Sequence, residues 1–297
     1  GRVAFAREDY ASAATHLRSV LDAGVVNHNV PHLLALKPPS YQFYCEPFFG
    51  GGNLFFALPP APLETINDRD ENVMDFYRVL REAGIPVGFW RSVGASINTF
   101  AVESMVDELA QRAGIDPYQY RRSRLTQPRW LAVLDAAAQA AGWGTPAPKG
   151  VFRGLAQMKG YNSFVAACAE VSVSGGNKVK VHRIVAATDP GYAVNPAQIE
   201  RQVSGSFVYG LSALFMQECT VKEGRIEQTN FHNYQSMRIA QMPKVESIVM
   251  PSGGFWGGVG EPTIFVAAPA VLNAIAAATG KRLRSLPIQS HSDIKIA

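Results

Sequence analysis

The chain has 297 residues, of which 47% are apolar and 18% charged, with 28 Lys and Arg against 24 Asp and Glu for a net charge of +4. So large an apolar share excludes a disordered chain, and so small a net charge makes no electrostatic case for a nucleic-acid binder. The length suits two domains or one large one. In chain order, Tyr10, Ala13, Ala14, Leu17, Val20 and Leu21 recur at helical spacing and predict a helix over Glu8 to Ala23, stopped by Gly24. Phe43 to Cys45 reads as a short strand that runs into Glu46-Pro47-Phe48-Phe49-Gly50-Gly51-Gly52. An apolar helix over Asn53 to Leu58 follows, then a second strand over Leu63 to Ile66, ending in Asn67-Asp68-Arg69-Asp70. Val73, Phe76, Tyr77 and Leu80 share one face of a helix over Asn72 to Arg81. Strand, glycine loop, helix, strand and helix make a small α/β, partly Rossmann-like segment.

After Gly84 the composition changes. The first 84 residues hold seven Lys and Arg against ten Asp and Glu; the remainder holds 21 against 14. That shift predicts a boundary, with one part over residues 1–84 and a second over 85–297. Phe89-Trp90-Arg91-Ser92-Val93-Gly94 reads as a loop. Phe100 to Arg112 reads as an amphipathic helix with Val102, Met105, Val106 and Leu109 on the core side and Glu103, Asp107 and Gln111 outside. Asp116-Pro117 supplies an N-cap and a first-turn proline for a further helix. The basic run Arg121-Arg122-Ser123-Arg124 at its end reads as a solvated face favoured by the helix dipole. Pro128 to Ala141 is a helix ending on Gly142. Phe164 to Val173 and Lys178 to Ala187 are strands joined by the Ser174-Gly175-Gly176-Asn177 turn. Asn195-Pro196 caps a helix reaching toward Gln217, and Glu223-Gly224-Arg225 turns between two short strands. Gly257-Gly258-Val259-Gly260-Glu261-Pro262 leads into a helix near Val266 to Thr279, closed by Gly280. Pro269 and Asn273 make the apolar stretch from Thr263 to Thr279 a poor membrane span.

Chemistry-bearing residues are few. Cys45, Cys168 and Cys219 are too far apart for a metal site and read as small buried hydrophobes. The six histidines lack metal-ligand spacing, so no direct metal ligand is expected. No basic-then-apolar leader opens the chain, and the residues leave cytoplasm and periplasm both open. The loop ending in Glu261 has three glycines in four positions, which lets backbone approach a ligand. Its carboxylate precedes a proline, which favours extended backbone, and apolar residues follow at once. A carboxylate desolvated by them is a better base. By itself the loop reads more simply as an ordinary surface turn carrying a solvated glutamate, since glycine-rich loops are common.

The Gly-Val-Gly-Glu-Pro run at 258–262 resembles a signature of the xanthine dehydrogenase and aldehyde oxidase family of molybdenum hydroxylases, most closely isoquinoline oxidoreductase β subunits. The likeness extends from Phe89-Trp90-Arg91-Ser92-Val93-Gly94 through the helices at 102–125, the hairpin from Asn162 to Pro196, the helix from Gln202 to Gln217, Asn230-Phe231-His232-Asn233-Tyr234, and Ala270 to Pro287. It implies an α+β fold of mixed sheets and helices that binds molybdopterin, the cytosine dinucleotide form included. It implies Glu261 as the general base in hydroxylation of an aldehyde or an N-heterocycle at an electron-poor carbon. An iron–sulfur subunit is the implied electron partner. Val93, Gly94, Ala95, Gly258, Gly260 and Gln202 are the implied cofactor contacts. Arg91 has two readings, as a stabiliser of substrate charge or as a structural guanidinium on backbone carbonyls. Nothing in the chain reads Gly-Gln-Gly, the family's usual molybdenum-side glutamine motif.

The segment from Pro38 to Gly84 resembles instead the start of a D12-class DNA adenine methyltransferase. That implies Gly50 and Gly52 against S-adenosylmethionine and Asp68 on its ribose. The Asp-Pro-Pro-Tyr loop such enzymes use on a flipped adenine is absent. Asp189-Pro190-Gly191-Tyr192 is a near match inside the hydroxylase-like hairpin and reads as coincidence. The segment is also net acidic, the wrong sign for a phosphate backbone. The alternatives to a molybdenum hydroxylase are therefore a methyltransferase fragment or a non-catalytic fusion of two partial domains.

Overall fold

A computed structural model of the protein describes residues 43–46, 63–66 and 90–297. The chain divides into two units, Gly1–Phe89 and Trp90–Ala297. In the first, β1 (Phe43–Glu46) and β2 (Leu63–Ile66) pair in parallel, Phe43 opposite Leu63 and Glu46 opposite Ile66. A parallel pair needs a crossover between its strands, as the expected α/β half-unit supplies. The helices expected over 8–23, 53–58 and 72–81 lie outside the described residues, as do Gly50, Gly52 and Asp68.

The second unit has helices on both faces of one sheet. Helix α1 (Val93–Arg112) is followed by α2 (Pro117–Arg122) and α3 (Pro128–Ala140). Asp116 caps α2 by accepting from Tyr118 N and Gln119 N at 3.0 Å each. Strands β3 (Phe152–Gly160), β4 (Ser163–Ser174) and β5 (Lys178–Asp189) form an antiparallel meander. Helix α4 (Pro196–Phe215) and the β6 (Val221–Lys222) and β7 (Arg225–Ile226) hairpin follow. Strand β8 (Lys244–Val249) returns parallel to β5, helix α5 is Pro262–Thr279, and a short α6 (Ile288–His291) precedes β9 (Lys295–Ile296) on the start of β5.

β4 is buried on both sides, so its sequence is a near-continuous run of small apolar residues rather than an alternation. Its even-numbered residues Phe164, Ala166 and Cys168 face α3, which brings Val133, Leu134 and Ala137. Its odd-numbered residues Val165, Ala167 and Ala169 face α4 and α5, in the main core with Phe207, Leu211, Phe265 and Ile275. Among the described residues, the helix long and apolar enough to suggest a membrane span is thus the core helix α5, buried through most of its length. Its close approach to β3 depends on Gly154, where a β-carbon would fall on the backbone of Ala270 and Ala274.

Several expectations are corrected. Helix α1 begins at Val93, inside the expected loop, and its faces are largely reversed, although Gln111 stays outside as expected. Glu103 (4% exposed) and Asp107 (7%) point inward, whereas Val102 (54%) and Leu109 (42%) point out. The reason is Arg121, expected on a solvated face but fully buried. Its Nε lies 2.8 Å from Glu103 Oε2, and Asp107 pairs with both Arg121 and Arg282. Buried ions persist only when paired, so turning the acids inward draws the arginine in with them. Burial pushes the Glu103 carboxyl up, while Arg121 pulls it the other way. Strands β3, β8 and β9 were not expected. Of the two cysteines whose side chains are described, Cys168 is buried, its thiol pushed up to about 12 by desolvation, but Cys219 is exposed.

Candidate active site

Glu261 is the residue before α5, with Pro262 as the first helical residue. Its backbone (φ −126°, ψ −32°) is not the extended conformation that the following proline favours. Two hydrogen bonds turn its carbonyl inward: Ser92 Oγ donates to it at 2.8 Å, and Ile264 N at 3.0 Å. Tertiary contact overrides the local preference here.

The partner segment is Arg91-Ser92 at the start of α1. Ser92 is fully buried and left-handed (φ 79°), and Val93 is also left-handed (φ 44°). This bend aims the Ser92 amide at Glu261, whose Oε1 accepts it at 2.8 Å. Helix α1 has no acidic residue in its own first turn, so the carboxylate from α5 supplies the negative charge that a helix N-terminus favours. Arg91 donates through Nε to the Gly260 carbonyl at 2.9 Å and through Nη2 to the same oxygen and to Gln202 Oε1, the last at 3.2 Å. Its guanidinium also lies over Tyr209 of α4, 5.4 Å from the ring centroid, and Trp90 packs on the same ring at 4.7 Å.

The glycine loop is seated by the β3–β4 turn. Gly258 N donates to the Tyr161 carbonyl at 2.7 Å, and Ser163 Oγ donates to the Gly258 carbonyl at 2.6 Å. A β-carbon on Gly257 would strike Ser163 and Asn162, and one on Gly258 would lie 2.9 Å from the Tyr161 β-carbon. Those two glycines are thus explained by packing. A β-carbon on Gly260 would meet only Gln202 Oε1, at 3.8 Å, so this glycine leaves room. The Tyr161 phenol lies beside the Glu261 carboxylate; burial first, and then that charge, push it up.

The molybdopterin cofactor-binding domain pattern matches residues 93–243. The chain belongs to the molybdopterin cofactor-binding domain family. It is 33% identical over 210 residues to isoquinoline 1-oxidoreductase subunit beta of Brevundimonas diminuta, covering 69% of this chain and 27% of that one. It spans 20–30% of the length of such curated relatives. The fold is like that of quinoline 2-oxidoreductase from Pseudomonas putida 86, with a TM-score of 0.60 at 11% identity over 68% of this chain and 52% of that one. A separate likeness, 40% identity over 53 residues and 18% of each chain, is to a type II methyltransferase of Lactococcus lactis subsp. cremoris.

The donor chemistry fits the cofactor this family binds. A pterin bearing phosphate and metal-oxo groups is rich in acceptors. In the first turn of α1 the Gly94 and Ala95 amides lack intrahelical partners, whereas Val93 N donates to the Trp90 carbonyl at 2.8 Å; Arg91 and the Gln202 amide stand beside this turn. Of the residues expected at the site, Arg91, Gln202, Gly258, Gly260 and Glu261 are brought together across α1, α4 and the glycine loop, with Val93 to Ala95 following directly from Arg91-Ser92. Gly94 is buried and Ala95 packs on the main core, so both can reach a ligand only through backbone. Ser92, Tyr161 and Tyr209 went unnoticed in sequence. Asn162, a residue that tolerates positive φ, was the available sign of the Tyr161 turn.

Proposed function

We propose that this chain supplies the catalytic-base side of the cofactor cleft in a molybdenum hydroxylase, acting on an aldehyde or an N-heterocycle. The observation that carries the reading is the Glu261 carboxylate held by the Ser92 amide, in a loop fixed by Arg91. The bound molybdenum cofactor supplies the two-electron redox chemistry. Gly94 and Ala95 would bind it through backbone amides, with Val93, whose own amide donates to the Trp90 carbonyl, Gln202 and the open side of Gly260 against the pterin. Glu261 takes up the proton released as the substrate carbon is hydroxylated. One lone pair of Oε1 is engaged by Ser92, which leaves a carboxylate with capacity for that proton. Arg91 acts through the loop by holding the Gly260 carbonyl, and its remaining donors face substrate charge.

The likeness to a protein named as a β subunit supports a partner subunit, for which we propose an iron–sulfur protein. The cytosine dinucleotide form of the cofactor belongs to the same proposal. We place the junction between the methyltransferase-like and hydroxylase-like parts near Gly84, a reading supported by the division of contacts after Phe89. Binding of S-adenosylmethionine remains a second reading for residues 1–84 alone, and a thermal shift with that ligand tests it. For the main reading, the test is metal analysis and turnover of the assembled enzyme, wild type against Glu261→Gln. Equal molybdenum content with turnover reduced about 100- to 10,000-fold is expected of a lost general base. Full activity in the variant would falsify the assignment of Glu261, and absence of molybdenum from both would remove the cofactor reading.

A further inference from the structure

Trp90 and Arg91 are consecutive in the chain, and both rest on one ring. Tyr209 of α4 lies under the Arg91 guanidinium, whose central carbon is 5.4 Å from the ring centroid, and Trp90 packs on the same ring with centroids 4.7 Å apart and planes at 36°. The next two residues, Ser92 and Val93, are both left-handed. Neither is glycine and Val93 is β-branched, so the bend is unfavourable by itself. Backbone held against preference persists only where its surroundings fix it. Some of those surroundings belong to the Glu261 loop, through the Ser92 amide, the Ser92 hydroxyl and the Arg91 bond to Gly260. Tyr209 adds a support from a different element. Helix α4 is pressed against α5 at the neighbouring Gly210, where a β-carbon would fall 2.7 Å from that of Ala267. The ring is thus carried by a helix packed on the one that Glu261 begins. Two turns earlier on the same face of α4, Gln202 Oε1 accepts from Arg91 Nη2 at 3.2 Å. Between the two, a β-carbon on Gly205 would meet nothing within 4 Å. Helix α4 therefore holds Arg91 at two points, an amide on the edge of the guanidinium and a ring on its face.

We propose that Tyr209 is a positioning residue: its ring seats Trp90 and Arg91, and so fixes the left-handed bend that delivers the Ser92 amide to Glu261 and the guanidinium to the Gly260 carbonyl. This rests on the reading of Glu261 as the base. A guanidinium is planar, so hydrogen bonds along its edge set its direction and a ring on its face sets its tilt. Both contacts are to the ring, so phenylalanine is expected to serve at 209 and leucine is not.

Urea unfolding of the full chain tests the contact without turnover, in a cycle of Tyr209→Leu, Arg91→Met and the two together. The midpoint of the double variant is expected to fall by less than the sum of the two single falls, as for residues in contact. Additive falls overturn the proposal. In the assembled enzyme, Tyr209→Leu is expected to lower kcat about 10- to 100-fold with KM within about twofold, the pattern of a displaced catalytic group. Tyr209→Phe is expected to recover most of that loss. A leucine variant as active as wild type, or a phenylalanine variant as poor as leucine, also overturns it. Because the urea cycle needs no turnover, failure of the Glu261 reading and failure of the Tyr209 contact are read separately.

Discussion

Asp189 ties together two segments distant in sequence. Its Oδ1 accepts from Gly191 N at 2.8 Å and Ser252 Oγ at 2.9 Å, and its Oδ2 accepts from Arg129 Nε at 2.7 Å. The near match to a methyltransferase loop at 189–192 is therefore a structural anchor. It seats the segment before Glu261, since Gly253 N and Gly257 N donate back to Gly191 and Pro190. Burial opposes ionisation of Asp189, but Arg129, the Gly191 amide and Ser252 outweigh it and hold the carboxyl below its ordinary 3.8. A depressed folded pKa means that this stabilisation is full above about 3.8 and is lost as pH falls through the lower folded value. Asp189→Asn removes the charge from three donors and is expected to cost about 2–3 kcal/mol. Urea unfolding at neutral pH measures it, and a change under about 0.5 kcal/mol, ordinary for an uninvolved surface site, would show that the carboxylate is no anchor.

At the scale of elements, the sequence showed where helices lie better than which way they face. Caps and breakers are local, so Asp116-Pro117, Pro128, Asn195-Pro196 and Gly280 marked helix ends within a few residues. The orientation of α1 is not local. Its apolar stripe points outward because Glu103 and Asp107 meet Arg121 and Arg282 on the inside. Strand β3 was illegible for a related reason: Gly154 and Ala156 are shaped by the helix that crosses them, not by strand propensity. Gly154→Ala would put a methyl on the backbone of α5, which cannot move as a side-chain tip could. We expect a loss of about 3 kcal/mol, an overpacking cost, with a matching fall in Tm. A variant as stable as wild type would mean that β3 and α5 are not packed this closely.

Across the molecule, the sheet is clamped electrostatically as well as by its core. Arg183 of β5 pairs with Glu246 of β8 at 2.5 Å, and Lys244 adds a contact at 2.7 Å. Arg183 first, then Lys244, hold the Glu246 carboxyl at about 2 instead of 4.5. Its contribution is present above 4.5 and disappears as pH falls toward 2. Partial exposure screens it, so the expected sign is a shallower acid loss in Glu246→Gln than in wild type over that window, read from denaturant midpoints. Identical slopes would leave the pair without a role in stability. By itself the sequence determined the family and the helix ends that caps and breakers mark, because signatures, caps and glycines act over a few residues. Tertiary structure alone decided what surrounds Glu261. Ser92 meets it across 169 residues of chain, and the hairpin turn at Tyr161 holds the Gly258 that precedes it. Such meetings depend on how β4, α4 and α5 share one core, which no window of local sequence contains.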